Sequence, residues 1–78
     1  RRIETVSHTL ATNLQRRREA LNLSVPEAAR LCNVALSTWY GYEAGSTTPP
    51  LETLLVIAAR LKTTAAELLK GVRTKVTQ

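Results

Sequence analysis

Residues 24–45, SVPEAARLCNVALSTWYGYEAG, constrain the fold more than any other part of this chain. Their apolar side chains are spaced to bury one face of each of two short helices joined by a tight turn. Ala28, Ala29 and Cys32 fall inward on the first helix, Val34 plugs the turn, and Trp39 and Tyr42 fall inward on the second. Asn33 stands at the turn. Asparagine enters the left-handed backbone region more cheaply than most residues, so it suits the position just past a helix end. Ser24 and Glu27 have the spacing of a capping box, and Pro26 sits in the first turn, where its missing N–H costs nothing. The expected helices are about 25–33 and 36–43, the second stopped by Ala44 and Gly45. Gly41 inside it costs roughly 1 kcal/mol relative to Ala and asks for a reason.

The remaining chain reads as support for this unit. Ile3, Val6, Leu10, Leu14, Arg18 and Leu21 recur at three- and four-residue steps and define one face of a helix over about 9–21, with a forward extension. Asn22 offers its stop. Residues 46–50 are a loop, and Pro50 can open a fourth helix at its first position. Its inner face is expected to be Leu51, Leu54, Leu55, Ala58 and Leu61. Thr64 and Glu67 form a second capping box before a short fifth helix through Leu68 and Leu69, which Gly71 ends. Residues 1–71 thus form one domain, and 72–78 read as a tail or a linker to a further domain.

Composition narrows the class. With 78 residues, 44% of them hydrophobic but without Phe or Met, an all-α domain packed by aliphatic side chains is favoured. The absence of Met is what a processed or excised piece would show. One cysteine excludes an internal disulfide and gives no metal-ligand pattern. Together with the lack of a signal peptide or membrane-spanning run, it points to a reducing, cytoplasmic setting. Cys32 reads as a buried thiol and His8 as a surface residue. There is no nucleophile–base pair, no Gly-rich phosphate loop and no cofactor or small-molecule motif, so nothing suggests an enzyme. The formal net charge of +5 suits a polyanionic partner.

Arg18, Ser24, Ala28-Ala29, Trp39, Glu43-Ala44-Gly45, Pro49 and Leu51-Glu52-Thr53-Leu54-Leu55 stand in the order and spacing of a known pattern, as does the ending 61–69. From about Leu10 to Gly71 the chain resembles the Cro and phage-repressor (XRE-type) helix-turn-helix DNA-binding domains. That resemblance implies a compact five-helix phage-repressor-like fold, with a partly buried ion pair between Arg18 and Glu43. An unpaired charge at Arg18, on the inward stripe of its helix, would be costly. Trp39 stands where relatives have an aliphatic residue, and its spacing with Val34 and Tyr42 makes it a core residue rather than a base-stacking one.

The resemblance also implies double-stranded DNA as partner, read in the major groove by the helix at about 36–44. Leu36, Ser37, Thr38, Tyr40, Gly41 and Ala44 are the matching base-contact positions. They lack the long amides and arginines that make bidentate bonds to bases. What remains suits apolar contacts, water and DNA shape. Gly41 would let the helix approach closely. Gln15, Arg16, Arg17, Ser24, Val25, Arg30, Ser46, Thr47 and Thr48 are the phosphate-contact candidates. The free amides of the helix starting at Ser24 and Val25 would also serve. Relatives often carry Gln at Val25 and Lys in the 46–48 loop. A bacterial or phage repressor acting as a homodimer on a pseudo-palindromic operator follows, with dimer contacts from Leu68, Leu69, Val72 and Val76. The alternative is a helix-turn-helix protein-interaction adaptor that does not bind DNA, suggested by the apolar face of Leu36, Tyr40 and Ala44.

Overall fold

The computed structural model describes residues 2–72, with side chains from residue 8 onward. Five α-helices follow one another: α1 (Arg2–Ala20), α2 (Val25–Leu31), α3 (Leu36–Ala44), α4 (Leu51–Arg60) and α5 (Ala65–Leu68). No strand occurs among the described residues, and the fold is all-α. The forward extension of α1 is realised as far as Arg2. The inward placement expected of Ile3 and Val6 concerns side chains outside the description, as does everything expected of Val76 and the tail beyond Val72. No described helix is long and apolar enough to cross a membrane.

One device ends the first four helices. A residue past each end turns left-handed: Asn22, Asn33, Gly45 and Lys62, with φ of 59°, 57°, 78° and 58°. The chain then folds its next N–H back onto a carbonyl one turn earlier. Leu23 N donates to Arg18 O (3.2 Å), Val34 N to Ala29 O (2.8 Å), Ser46 N to Gly41 O (3.1 Å) and Thr63 N to Ala58 O (2.9 Å). These are Schellman closures. The two asparagines and the glycine are legible in the sequence as stop residues; Lys62 is not.

α4 corrects the expected burial. Leu54, Ile57, Ala58 and Leu61 are buried, while Leu51 and Leu55 face outward with Val56. Both sets obey helical spacing, because residues 54–59 are apolar on every side of the helix. The ends select the phase. Pro49 is buried just before the helix, and Pro50 is its N-cap rather than its first residue. At the other end the Arg17 guanidinium donates from Nε to Leu61 O and from Nη2 to Lys62 O, both at 2.8 Å. A cation there also faces the negative end of the helix dipole.

The core is a single cluster drawn from all five helices. It includes Leu10 and Leu14 of α1, Ala28 and Ala29 of α2, Trp39 and Tyr42 of α3, Leu54, Ile57 and Ala58 of α4, and Leu68 of α5. Leu23 and Val34, the two residues after the asparagine turns, pack against it. α5 has only four residues, too few to hold itself by helical propensity. Thr64 caps it by accepting from Glu67 N (3.1 Å), although the reciprocal carboxylate bond of a full capping box is not made. Asn13 of α1 holds its other end, donating from Nδ2 to Leu68 O and Lys70 O at 2.8 Å each.

Candidate nucleic-acid interface

The geometry of α3 is set by a hydrogen-bonded cluster beneath it. Arg18 donates from Nε to Glu43 Oε2 at 2.6 Å and from Nη2 to Glu43 Oε1 at 3.1 Å. Its third branch, Nη1, donates to Leu23 O at 2.8 Å. The Trp39 indole N–H donates to the same Glu43 Oε2 at 2.7 Å. The Arg18 and Glu43 side chains keep only 12% and 10% of their exposure, so this bidentate pair is largely shielded from water and salt. Glu43 holds the Arg18 guanidinium in its charged form even more firmly than usual. The Trp39 ring is fully buried and tilted against Tyr42, with centroids 6.4 Å apart and planes at 59°. The cluster thus binds α3 to α1 and to the turn before α2. A buried indole needs a partner for its N–H. The four-residue step from Trp39 to Glu43 was the sequence signal for that bond.

Opposite this buried side, Leu36, Ser37, Thr38, Tyr40 and Ala44 are exposed. Ser37 and Ala44 lie at the centre of the face, with Leu36 and Tyr40 along one flank. The Ala35 N-cap makes no side-chain cap bond, so the first turn of α3 opens directly to the surface. Gly41 meets the loop that follows α3. It does not present an open surface: an added Cβ there would sit 2.9 Å from the Thr47 methyl carbon. The loop after α3 folds back over it, with Ser46 N and Thr47 N both donating to Gly41 O at 3.1 and 3.4 Å. A side chain at this position would crowd the Thr47 methyl group of that loop.

The phosphate-contact candidates separate in space. Arg17 turns two of its guanidinium nitrogens to the Leu61 and Lys62 carbonyls just past α4. Arg16 lies with Asn13, Thr63, Glu67 and Lys70 around a groove of about 400 Å³ between α1 and α5. Two residues from Arg18 on a helix, it points to nearly the opposite side, away from α3. Gln15 donates to Glu19 at 3.3 Å on the exposed side of α1. At α2 the capping box is complete: Glu27 N donates to Ser24 Oγ (3.2 Å) and Ser24 N to Glu27 Oε1 (2.8 Å). Pro26 has no N–H, so Val25 carries the one backbone donor of that turn left without a protein partner, beside a carboxylate. The Ser24 backbone N–H holds the Glu27 carboxyl below its usual range. The expected row of free amides is therefore reduced to one. Arg30, Ser46, Thr47 and Thr48 remain at the surface. Ser46 Oγ donates to Gly41 O at 3.3 Å. Cys32 is buried, and burial pushes its thiol up, away from ionisation at neutral pH.

A family model described as a helix-turn-helix domain matches residues 9–70. The chain belongs to the helix-turn-helix domain family. Its five-helix arrangement is of the XRE type. A solved structure titled as an HTH_3 family transcriptional regulator from Vibrio cholerae is similar in fold. Its TM-score is 0.79 and it is 24% identical, over 85% of this chain and 37% of that one. No curated protein matches the sequence. Within this helix-turn-helix domain, α2 and α3 are the two helices of the motif.

Proposed function

We propose that this chain is a sequence-specific double-stranded DNA-binding module of a transcription regulator, with the exposed side of α3 entering the major groove. The observation that carries the reading is the construction of α3 itself. Three side chains, Arg18, Trp39 and Glu43, anchor one side, while Leu36, Ser37, Thr38, Tyr40 and Ala44 on the other stay exposed. A helix held on one side and exposed on the other is what groove insertion needs. Family membership and the net charge of +5 support it.

Leu36, Ser37, Tyr40 and Ala44 are the base-facing residues in this reading. None carries the amide or guanidinium that pairs with two atoms of one base. Leu36 and Ala44 instead suit thymine methyl groups, Ser37 a single hydrogen bond or a bridging water, and Tyr40 a phosphate at the groove edge. Arg30, the Val25 N–H and the 46–48 loop are the backbone-contacting groups on the same side of the motif. A repressor-like regulator acting as a homodimer on a pseudo-palindromic operator completes the reading.

Selection of bound sites from a random DNA pool, followed by anisotropy titration of the winner at two salt concentrations, tests this. The expected result is specific binding with a steep salt dependence. It should weaken when deoxyuridine replaces thymine, since that change removes only the methyl groups. The exposed Leu31, Leu36 and Tyr40 side chains favour one other reading, an adaptor that docks protein on this same face. Absence of DNA binding even at low salt would establish that reading over the first.

A further inference from the structure

We propose that Thr47 reads a base pair, its hydroxyl held toward the groove by the seat that its methyl group takes over Gly41. This deepens the DNA-binding reading above, on which it rests, and moves the Thr47 side chain from the backbone-contacting loop to the base-facing side. Gly41 stands four residues after Ser37 and three before Ala44, so the three share the middle of the exposed side of α3. Around the helix axis it is about 200° from buried Trp39. Gly41 has no side chain, and the chain fills that place from elsewhere. The loop after α3 returns over the helix, and the Thr47 methyl carbon lies 2.9 Å from where a Cβ of residue 41 would stand. The Thr47 backbone is tied to the same residue, its N–H donating to Gly41 O at 3.4 Å. Thr47 thus gives the outer side of α3 the side chain that position 41 lacks.

The two branches of Thr47 differ in their surroundings. The methyl meets Gly41, whereas the hydroxyl makes no hydrogen bond among the described residues and the residue is exposed. Ser46 beside it is engaged, its Oγ donating to Gly41 O at 3.3 Å. Threonine is stiff about χ1, so a seated methyl fixes where the hydroxyl points. Position around α3 decides what that hydroxyl meets. A group on the midline of a helix inserted in the major groove faces base edges, whereas phosphates flank the groove and meet groups at the sides, such as Tyr40. A hydroxyl both donates and accepts, so it can bond to either kind of base edge. With Ala44 apolar, Ser37 and Thr47 are the two hydrogen-bonding side chains on that midline.

Competition anisotropy against every single-base-pair change in the site selected from the random pool tests the proposal, with the unaltered chain and two variants. Thr47→Val keeps the methyl seat and the shape but removes the hydroxyl. It should reduce the preference at one base pair by about fivefold, the worth of one hydrogen bond, and leave the other positions unchanged. Thr47→Ser keeps the hydroxyl without its seat, and should prefer the same base by a smaller ratio. Thermal unfolding checks that both variants fold. An equal loss of affinity on every sequence in Thr47→Val, or no loss on any, makes Thr47 a backbone contact or no contact and overturns the proposal. A preference in Thr47→Ser as large as in the unaltered chain overturns the role of the methyl seat. Failure of the unaltered chain to bind any DNA overturns the DNA-binding reading itself, and this proposal with it.

Discussion

Glu43 is the residue on which the most depends. Its two oxygens accept from three donors on Arg18 and Trp39, and no buried side-chain nitrogen or oxygen among the described residues is left without a partner. Removing one member has unequal consequences. Arg18→Ala leaves a shielded carboxylate without its counter-charge and should lower stability by about 3 kcal/mol. Trp39→Phe removes one donor and part of a ring, while the ion pair stays intact, and should cost about 1–2 kcal/mol. Thermal or urea unfolding of the two variants measures the difference. Equal losses would mean that the indole bond, not the charge pair, holds α3. The pair itself was legible from Arg18's place on an inward stripe together with the family pattern. The indole bond has no such stripe behind it, and its one trace in the sequence is the four-residue step from Trp39 to Glu43.

Among the elements, α3 shows how a local rule can be overridden by a neighbour. A glycine in mid-helix should be improvable by Ala, worth roughly 1 kcal/mol, yet the Thr47 methyl occupies the space the new Cβ would need. Gly41→Ala alone should therefore gain little or lose stability. In a Thr47→Ser background, which lacks that methyl, the same change should recover most of the 1 kcal/mol. A double-mutant cycle by chemical denaturation reads the coupling directly, and additive effects would refute it. Helix ends were mostly legible, since Asn22, Asn33, Gly45 and the Ser24–Glu27 box declare themselves by residue type and spacing. The phase of α4 was not. A helix apolar on nearly every side offers several equally periodic faces, and its burial was decided by Pro49 and Arg17, the second of them 44 residues from its partner Leu61.

For the whole molecule, the distribution of positive charge differs from its sum. Arg17 and Arg18 contribute to the net +5, but both guanidiniums are committed to internal acceptors. Arg17→Ala should accordingly lower stability by about 1–2 kcal/mol and leave the salt dependence of DNA binding unchanged. A slope shallower by about one counterion would instead make Arg17 a phosphate contact. By itself the sequence determined the number of helices, where the first three stop, the inward set of α2 and α3, and the absence of long polar side chains on the exposed side of α3. These are properties of neighbours a few residues apart, set by helical periodicity and by the side chains that tolerate a left-handed backbone. Only the tertiary structure decided which arginines point outward, what a side chain at position 41 would meet, that Leu68 is interior, and that Leu51, Leu55 and Val56 are not. Each of these turns on a contact between distant segments, where two equally periodic choices differ only in what the other side of the core can accept.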